Sequence, residues 1–150
     1  MTYQIVYASE SSTPMQTDDL EELLEHARDN NAEQGITGAL VYVDGVFLQV
    51  LEGRAGAVQV LMARISKDLR HETITVLKEG DVSSASFADW KMAYVSATSE
   101  QVATWAGLGH TSAIPEVLQC MTQDPQRVTQ LAASIVAVLA GQTTAQDKTG

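Results

Sequence analysis

The period of the hydrophobic positions changes several times along this chain, and each change marks an element. Tyr3-Gln4-Ile5-Val6-Tyr7-Ala8 alternates, which predicts a first strand with Tyr3, Ile5 and Tyr7 on one face. Ser9 to Pro14 is polar and reads as a loop. Leu20, Leu23, Leu24 and Ala27 then recur at helical spacing. Thr17 is a candidate N-cap, with Asp18, Asp19 and Glu21 well placed for the helix dipole, so a helix is expected to about Asn30. Gly35 falls in the loop that follows. Ile36 to Tyr42 and Val46 to Leu51 are apolar runs flanking Asp44-Gly45, a pair that tolerates positive φ and predicts a hairpin. Val58, Leu61, Met62 and Ile65 mark a second helix from about Gly56 to Asp68, and Thr73 to Lys78 and Trp90 to Ser96 read as two more strands.

The order β-α-β-β-α-β-β predicts an α+β sandwich of the split-βαβ, ferredoxin-like kind, with a mixed sheet and two helices on one face. After Ser96 the texture becomes helical, with segments at Gln101 to Leu108, Ile114 to Met121 and Pro125 to Ala140. Val128, Leu131, Ile135, Val138 and Leu139 form a wide apolar stripe on the last of these. That stripe either covers the open face of the sheet or pairs with another chain. The expected organisation is an α+β domain over residues 1–96, a helical extension over 97–142 and a disordered tail over 143–150.

Composition narrows the function classes. A chain of 150 residues with 45% hydrophobic residues builds one domain with a real core. No apolar run reaches the ~18 residues of a membrane span, and the first residues show no signal-peptide pattern. A lone cysteine, Cys120, excludes an internal disulfide and suits a cytoplasmic setting. A net charge of −10 argues against nucleic acid, whose phosphates demand Lys and Arg clusters. Arg64, Lys67, Arg70 and His71 make a local exception. They either complement a helix C-terminus or seat a phosphate-bearing small molecule.

Chemistry enters through Gln49. In Phe47-Leu48-Gln49-Val50-Leu51 both faces of a strand are otherwise apolar, so this amide is expected to be buried beside Phe47 and Leu51. A buried amide without partners costs about 1–3 kcal/mol. Either it is a structural pairing with the backbone, or its ability to exchange donor and acceptor serves a switch. The histidines are scattered, so no metal site is expected. Gly-x-Ser-x-Gly, Walker A and Gly-x-Gly-x-x-Gly are all absent. What remains is a neutral polar set. Tyr7 lies on the first strand, Asn30-Asn31 at the end of the first helix, and Trp90 and Met92 on one face of the last strand. Each has a plain alternative: Asn31 as a helix C-cap, the others as core fillers.

Five ordered blocks resemble the BLUF family of flavin-binding blue-light sensors. They are Ile5-Val6-Tyr7, Asn30-Asn31-x-x-x-Gly35-Ile36-Thr37-Gly38, Phe47-Leu48-Gln49-Val50-Leu51-Glu52-Gly53, Asp68-x-Arg70-His71 and Phe87-x-x-Trp90-x-Met92. The resemblance implies a flavin, FAD with FMN as the alternative, held between the two helices. It implies that Tyr7 is the electron donor, that Gln49 bridges Tyr7 and the flavin, and that Asn31 anchors the ring's carbonyl edge. Leu23 and Ala27 would line the ring, and Arg64, Asp68, Arg70 and His71 would hold the ribityl-phosphate end. Met92, and with it Trp90, would relay the state of Gln49. The ~50 residues after the sensor are too few for an enzymatic output domain. A non-enzymatic receptor is therefore expected, signalling to an effector protein or through self-assembly, with the C-terminal stripe as the place to look. A flavin-dependent oxidoreductase and a light-insensitive flavin-binding scaffold are the competing readings.

Overall fold

A computed structural model of the chain describes residues 2–11, 16–67, 71–83, 85–88, 90–108 and 113–141, with no side-chain description for Thr17, His71 and Glu72. The elements run β1 (Thr2–Ser11), α1 (Thr17–Gln34), β2 (Thr37–Val43), β3 (Val46–Gly53), α2 (Ala55–Ser66), β4 (His71–Val82), β5 (Ala93–Ser96), α3 (Ser99–Trp105), α4 (Ile114–Gln123) and α5 (Pro125–Gly141). The five strands form one mixed sheet in the order β4-β1-β3-β2-β5. β3 is inserted between β1 and β2, and β1 between β3 and β4, all antiparallel to their neighbours; β5 joins β2 in parallel. This is the expected ferredoxin-like, split-βαβ arrangement with one strand added.

Asp44 at φ 49 and Gly45 at φ 78 make the β2–β3 turn, both positive as a two-residue hairpin of this hand requires. Gly38 is fixed by crowding, because a β-carbon there would lie 1.9 Å from the Val50 carbonyl oxygen. On one face of the sheet, Ile5, Tyr7, Leu40, Phe47 and Leu51 pack against Leu24 of α1 and Val58 of α2. On the other, Val6, Val41, Leu48 and Val50 pack against α3, α4 and α5. The α5 stripe closes this second face within the chain: Val128, Leu131, Ile135 and Leu139 are buried there. Burying each such side chain is worth roughly 1.5–3 kcal/mol, so the stripe is committed to the chain's own sheet rather than offered to another copy.

Several boundaries differ from expectation for identifiable reasons. Helix α1 begins with Thr17 as its first helical residue, after an N-cap at Gln16 whose backbone N–H donates to the Asp19 carboxylate at 3.0 Å. It also runs a turn further, ending at Gly35 in the left-handed conformation (φ 68). Helix α3 starts two residues early because Thr98 and Gln101 cap each other: the Thr98 hydroxyl accepts from the Gln101 N–H, and the Gln101 side chain accepts from the Thr98 N–H. Strand β4 extends well past Thr73–Lys78 at both ends, with register shifts against β1 that place an extra residue on the edge strand. Strand β5 begins at Ala93, not Trp90, because the carbonyls of Lys91 and Met92 are taken by side chains of α1, as described next. Residues 142–150, which include the expected tail, lie outside the described residues.

Candidate functional site

Between α1 and α2, above the sheet, lies a cleft of about 280 Å³. Its walls are mostly apolar: Leu23, Leu24 and Ala27 from α1, and Leu61 and Ile65 from α2. They follow from the helical spacing of those residues, which turns one stripe of each helix inward. The floor is Leu40, Gln49 and Met92; Asn30, Asn31, His26 and Arg64 supply the polar rim. The order of residues along β3 places Gln49 beneath the cleft on the face shared with Phe47 and Leu51.

A chain of side chains crosses this floor. Tyr7 and Gln49 are directly opposed on β1 and β3, and the fully buried Tyr7 hydroxyl donates to Gln49 Oε1. Gln49 Nε2 in turn donates to Met92 Sδ at 3.4 Å. Sulfur is a weak acceptor, so the two ends of the amide are held unequally. Tyr7 sits behind Gln49 rather than lining the cleft.

Asn31 is not the helix C-cap that its position suggested. It lies one turn inside α1, is 1% exposed, and donates through Nδ2 to the Lys91 carbonyl at 2.6 Å. Arg28, one turn earlier, donates through Nε to the Met92 carbonyl at 3.0 Å, and the Gly38 N–H donates to the Trp90 carbonyl at 3.0 Å. The Arg28 and Asn31 contacts draw the carbonyls of residues 91 and 92 to α1, while Trp90 is tied to β2 through Gly38. The irregular backbone also explains a second correction. Trp90 and Met92 do not share a face: Met92 belongs to the cleft side, whereas Trp90 is buried in the opposite cluster with Phe87 edge-on to it at 6.5 Å. Side chains two apart share a face only in a regular strand.

Leu23, Ala27, Asn31, Gln49, Arg64 and Met92 are thus brought to one cleft. Arg64 stands at the rim and donates to Asn30 Oδ1 at 3.1 Å. Asp68 and Arg70 lie outside the described residues; His71 is described only through its backbone, paired with Ser11. Sequence reasoning gave no role to Arg28 or His26, although i+3 from Leu23 carries His26, and i+4 from Leu24 carries Arg28, to or near the cleft. It also left Glu52 without a role. Among the described residues no cluster of His, Cys, Asp and Glu could hold a metal, and no helix is long and apolar enough to cross a membrane.

The cleft's chemistry suits a planar, largely apolar ring edged with hydrogen-bonding groups: aliphatic walls on two sides, two amides at one edge and a cation at the mouth. The family comparison agrees. A family model described as "BLUF: Sensors of blue-light using FAD" matches residues 2–93. The chain belongs to the BLUF family. The chain is 36% identical over 105 residues to a photoactivated adenylate cyclase subunit beta of Euglena gracilis, an alignment that covers 69% of this chain and 12% of that protein. The chain therefore spans about an eighth of the length of that curated relative. Among solved structures, the BLUF protein BlrB in its dark state superposes with a TM-score of 0.73 at 26% identity, covering 92% of this chain and 97% of that one. BlsA in its ground state gives 0.67 at 33% identity, covering 75% and 76%. A bacterial light-regulated adenylyl cyclase gives 0.62 at 26% identity over 93% of this chain and 36% of its own. BLUF domains are flavin-binding photosensors and are not themselves catalytic.

Proposed function

We propose that this chain is a blue-light receptor in which the Gln49 amide is the switch and residues 90–96 carry its state outward. The observation that supports this reading is the chain Tyr7–Gln49–Met92 along the floor of the cleft. Bound between α1 and α2, a flavin would supply the absorption of blue light and a site to receive an electron. Leu23 and Ala27 would pack on the ring, Asn31 would hold its edge with the amide hydrogen and carbonyl not engaged by Lys91, and Arg64 would reach a phosphate. Asp68, Arg70 and His71 belong to the same proposed phosphate end. FAD is the favoured form, in line with the family's description, and FMN would meet the same groups.

In the dark arrangement Tyr7 donates and Gln49 Oε1 accepts. The Tyr7 phenol is placed to give up an electron and then its proton. Turning the amide over would place Nε2 against the Tyr7 oxygen and Oε1 toward Met92, reversing donor and acceptor. A neutral amide does this without forming a covalent bond, and the N–H···S contact to Met92 is lost in the process. Because the Met92 carbonyl is held by Arg28 and the strand after it pairs with β2, the change is delivered to β5 and then to α3. The sensor proper is residues 1–96, with 97–142 as the output region. Output passes to a partner protein or to self-association through surfaces other than the α5 stripe, which the sheet already covers.

Reconstitution with flavin followed by an absorption spectrum in the dark and after blue light tests the reading. A small red shift that relaxes in darkness supports it. A spectrum that bleaches would favour redox catalysis, and one that does not change would favour a silent scaffold.

A further inference from the structure

Beyond the cleft, on the opposite face of the sheet, Glu52 is buried with 0% exposure. A buried carboxylate is expensive unless hydrogen bonds surround it. Three donors do so here. Glu52 Oε2 accepts from Gln4 Nε2 at 2.8 Å and from the Ser86 backbone N–H at 3.0 Å; Oε1 accepts from the Phe87 backbone N–H at 2.8 Å. The first is a cross-strand pair, since Gln4 and Glu52 are opposed in the β1–β3 register. The other two reach out of the sheet to the irregular segment that ends at Met92.

We infer that Glu52 is a positioning residue for the switch: its carboxylate fixes the start of segment 86–92 so that the end of that segment sets Met92 against Gln49. This rests on the reading of Gln49 and Met92 given above. The geometry is that of one strand gripping one segment twice. Glu52 grips residues 86 and 87 from one face of β3, and Gln49, three residues earlier, grips Met92 from the other. Between them the described residues are held at further points. The Trp90 N–H donates to the Phe87 carbonyl at 3.0 Å, and the Phe87 and Trp90 rings pack edge to face. The carbonyls of Trp90, Lys91 and Met92 are held by Gly38, Asn31 and Arg28. A sheet carboxylate needed merely to pair with Gln4 would not require two backbone amides from a loop. Those amides have no strand partner, so the carboxylate substitutes for a missing ladder.

Glu52→Gln keeps size and one acceptor but presents an NH₂ where the site needs oxygen, so at least one N–H loses its partner. The test measures amide hydrogen exchange across residues 86–92 in the dark, and the dark-recovery rate of the flavin-loaded protein. Exchange at Ser86, Phe87 and Met92 should rise at least tenfold, and recovery should slow about threefold. Combining Glu52→Gln with Met92→Leu should add no further slowing, because both act through one contact. The swap Gln4→Glu with Glu52→Gln restores the cross-strand pair but not both loop contacts, and should leave exchange fast. If Glu52→Gln does not fold, Ser86→Pro removes one donor at an exposed loop residue and should raise exchange at Phe87 and Met92 in the same way, more weakly. Unchanged exchange at Met92 overturns the inference, as does full rescue by the swap or additive slowing in the double variant. The exchange arm needs no photochemistry, so a wild-type protein without a light response would overturn the switch reading while leaving the Glu52 clamp to be judged on its own.

Discussion

On the α1/α2 face of the sheet, β3 buries Gln49; on the α3–α5 face, three residues further along, it buries Glu52. The two differ in how they are held. Glu52 meets three N–H donors at 2.8 to 3.0 Å, all suited to a carboxylate. Gln49 meets the Tyr7 hydroxyl at its oxygen, while its nitrogen's partner among the described residues is a sulfur at 3.4 Å. The faces around them differ in the same sense. One leaves a cleft of about 280 Å³ between two helices, and the other is closed by three helices and an apolar stripe. In the proposed reading, the group that stays has three matched donors, and the group that changes partners has a phenol on one side, a weak acceptor on the other and room beside it.

The sharpest way to break this contrast is to remove the changeable group. Gln49→Leu, or Tyr7→Phe, should abolish the light-induced red shift while the flavin stays bound, since neither substitution opens the cleft walls. Absorption difference spectra check this. A next test attacks the closed face. Trp90→Ala should cost about 3–5 kcal/mol in denaturant unfolding, the usual range for a buried Trp, while the red shift persists at its normal size. Loss of the shift would mean that the two faces are not separable in this way.

A smaller effect sharpens the picture of the cleft mouth. Arg64→Ala should weaken FMN and FAD binding roughly tenfold, about the value of one hydrogen bond to a charged group, and leave riboflavin binding unchanged. Fluorescence titration of the apoprotein with the three ligands reads both. The smallest expected effect is at the weak bond itself. Met92→Leu conserves volume and deletes the sulfur acceptor, so dark recovery should slow about two- to fivefold, the equivalent of a contact worth about 0.5–1 kcal/mol. Flash absorption kinetics measure it.

Much of this was legible in the sequence. The alternation of Tyr3, Ile5 and Tyr7, the Asp44-Gly45 turn and the Leu23/Ala27 stripe carry the sheet and the inward faces of the helices, because local periodicity is set by backbone geometry. The apolar runs around Gln49 were enough to bury it. What the sequence did not disclose depends on long-range contacts. Asn31 read as a C-cap because the pattern thins after Ala27, yet the helix continues for a turn on residues that face solvent and ends at Gly35. Trp90 and Met92 read as neighbours on one strand face because nothing local shows that Arg28, Asn31 and Gly38 claim the carbonyls of residues 90–92. Glu52 sits in one of the family-like blocks, but its two loop partners lie 34 and 35 residues away. The α5 stripe was visible; that it closes the chain's own sheet was not.

The central claim is that the Gln49 amide exchanges partners when light is absorbed, and light-minus-dark infrared spectra of protein carrying ¹³C-labelled glutamine test it most directly. The account predicts label-sensitive bands from a side-chain amide in the wild-type difference spectrum that vanish in Gln49→Leu. A red-shifted wild type with no label-sensitive band, or the same bands surviving in Gln49→Leu, would contradict it.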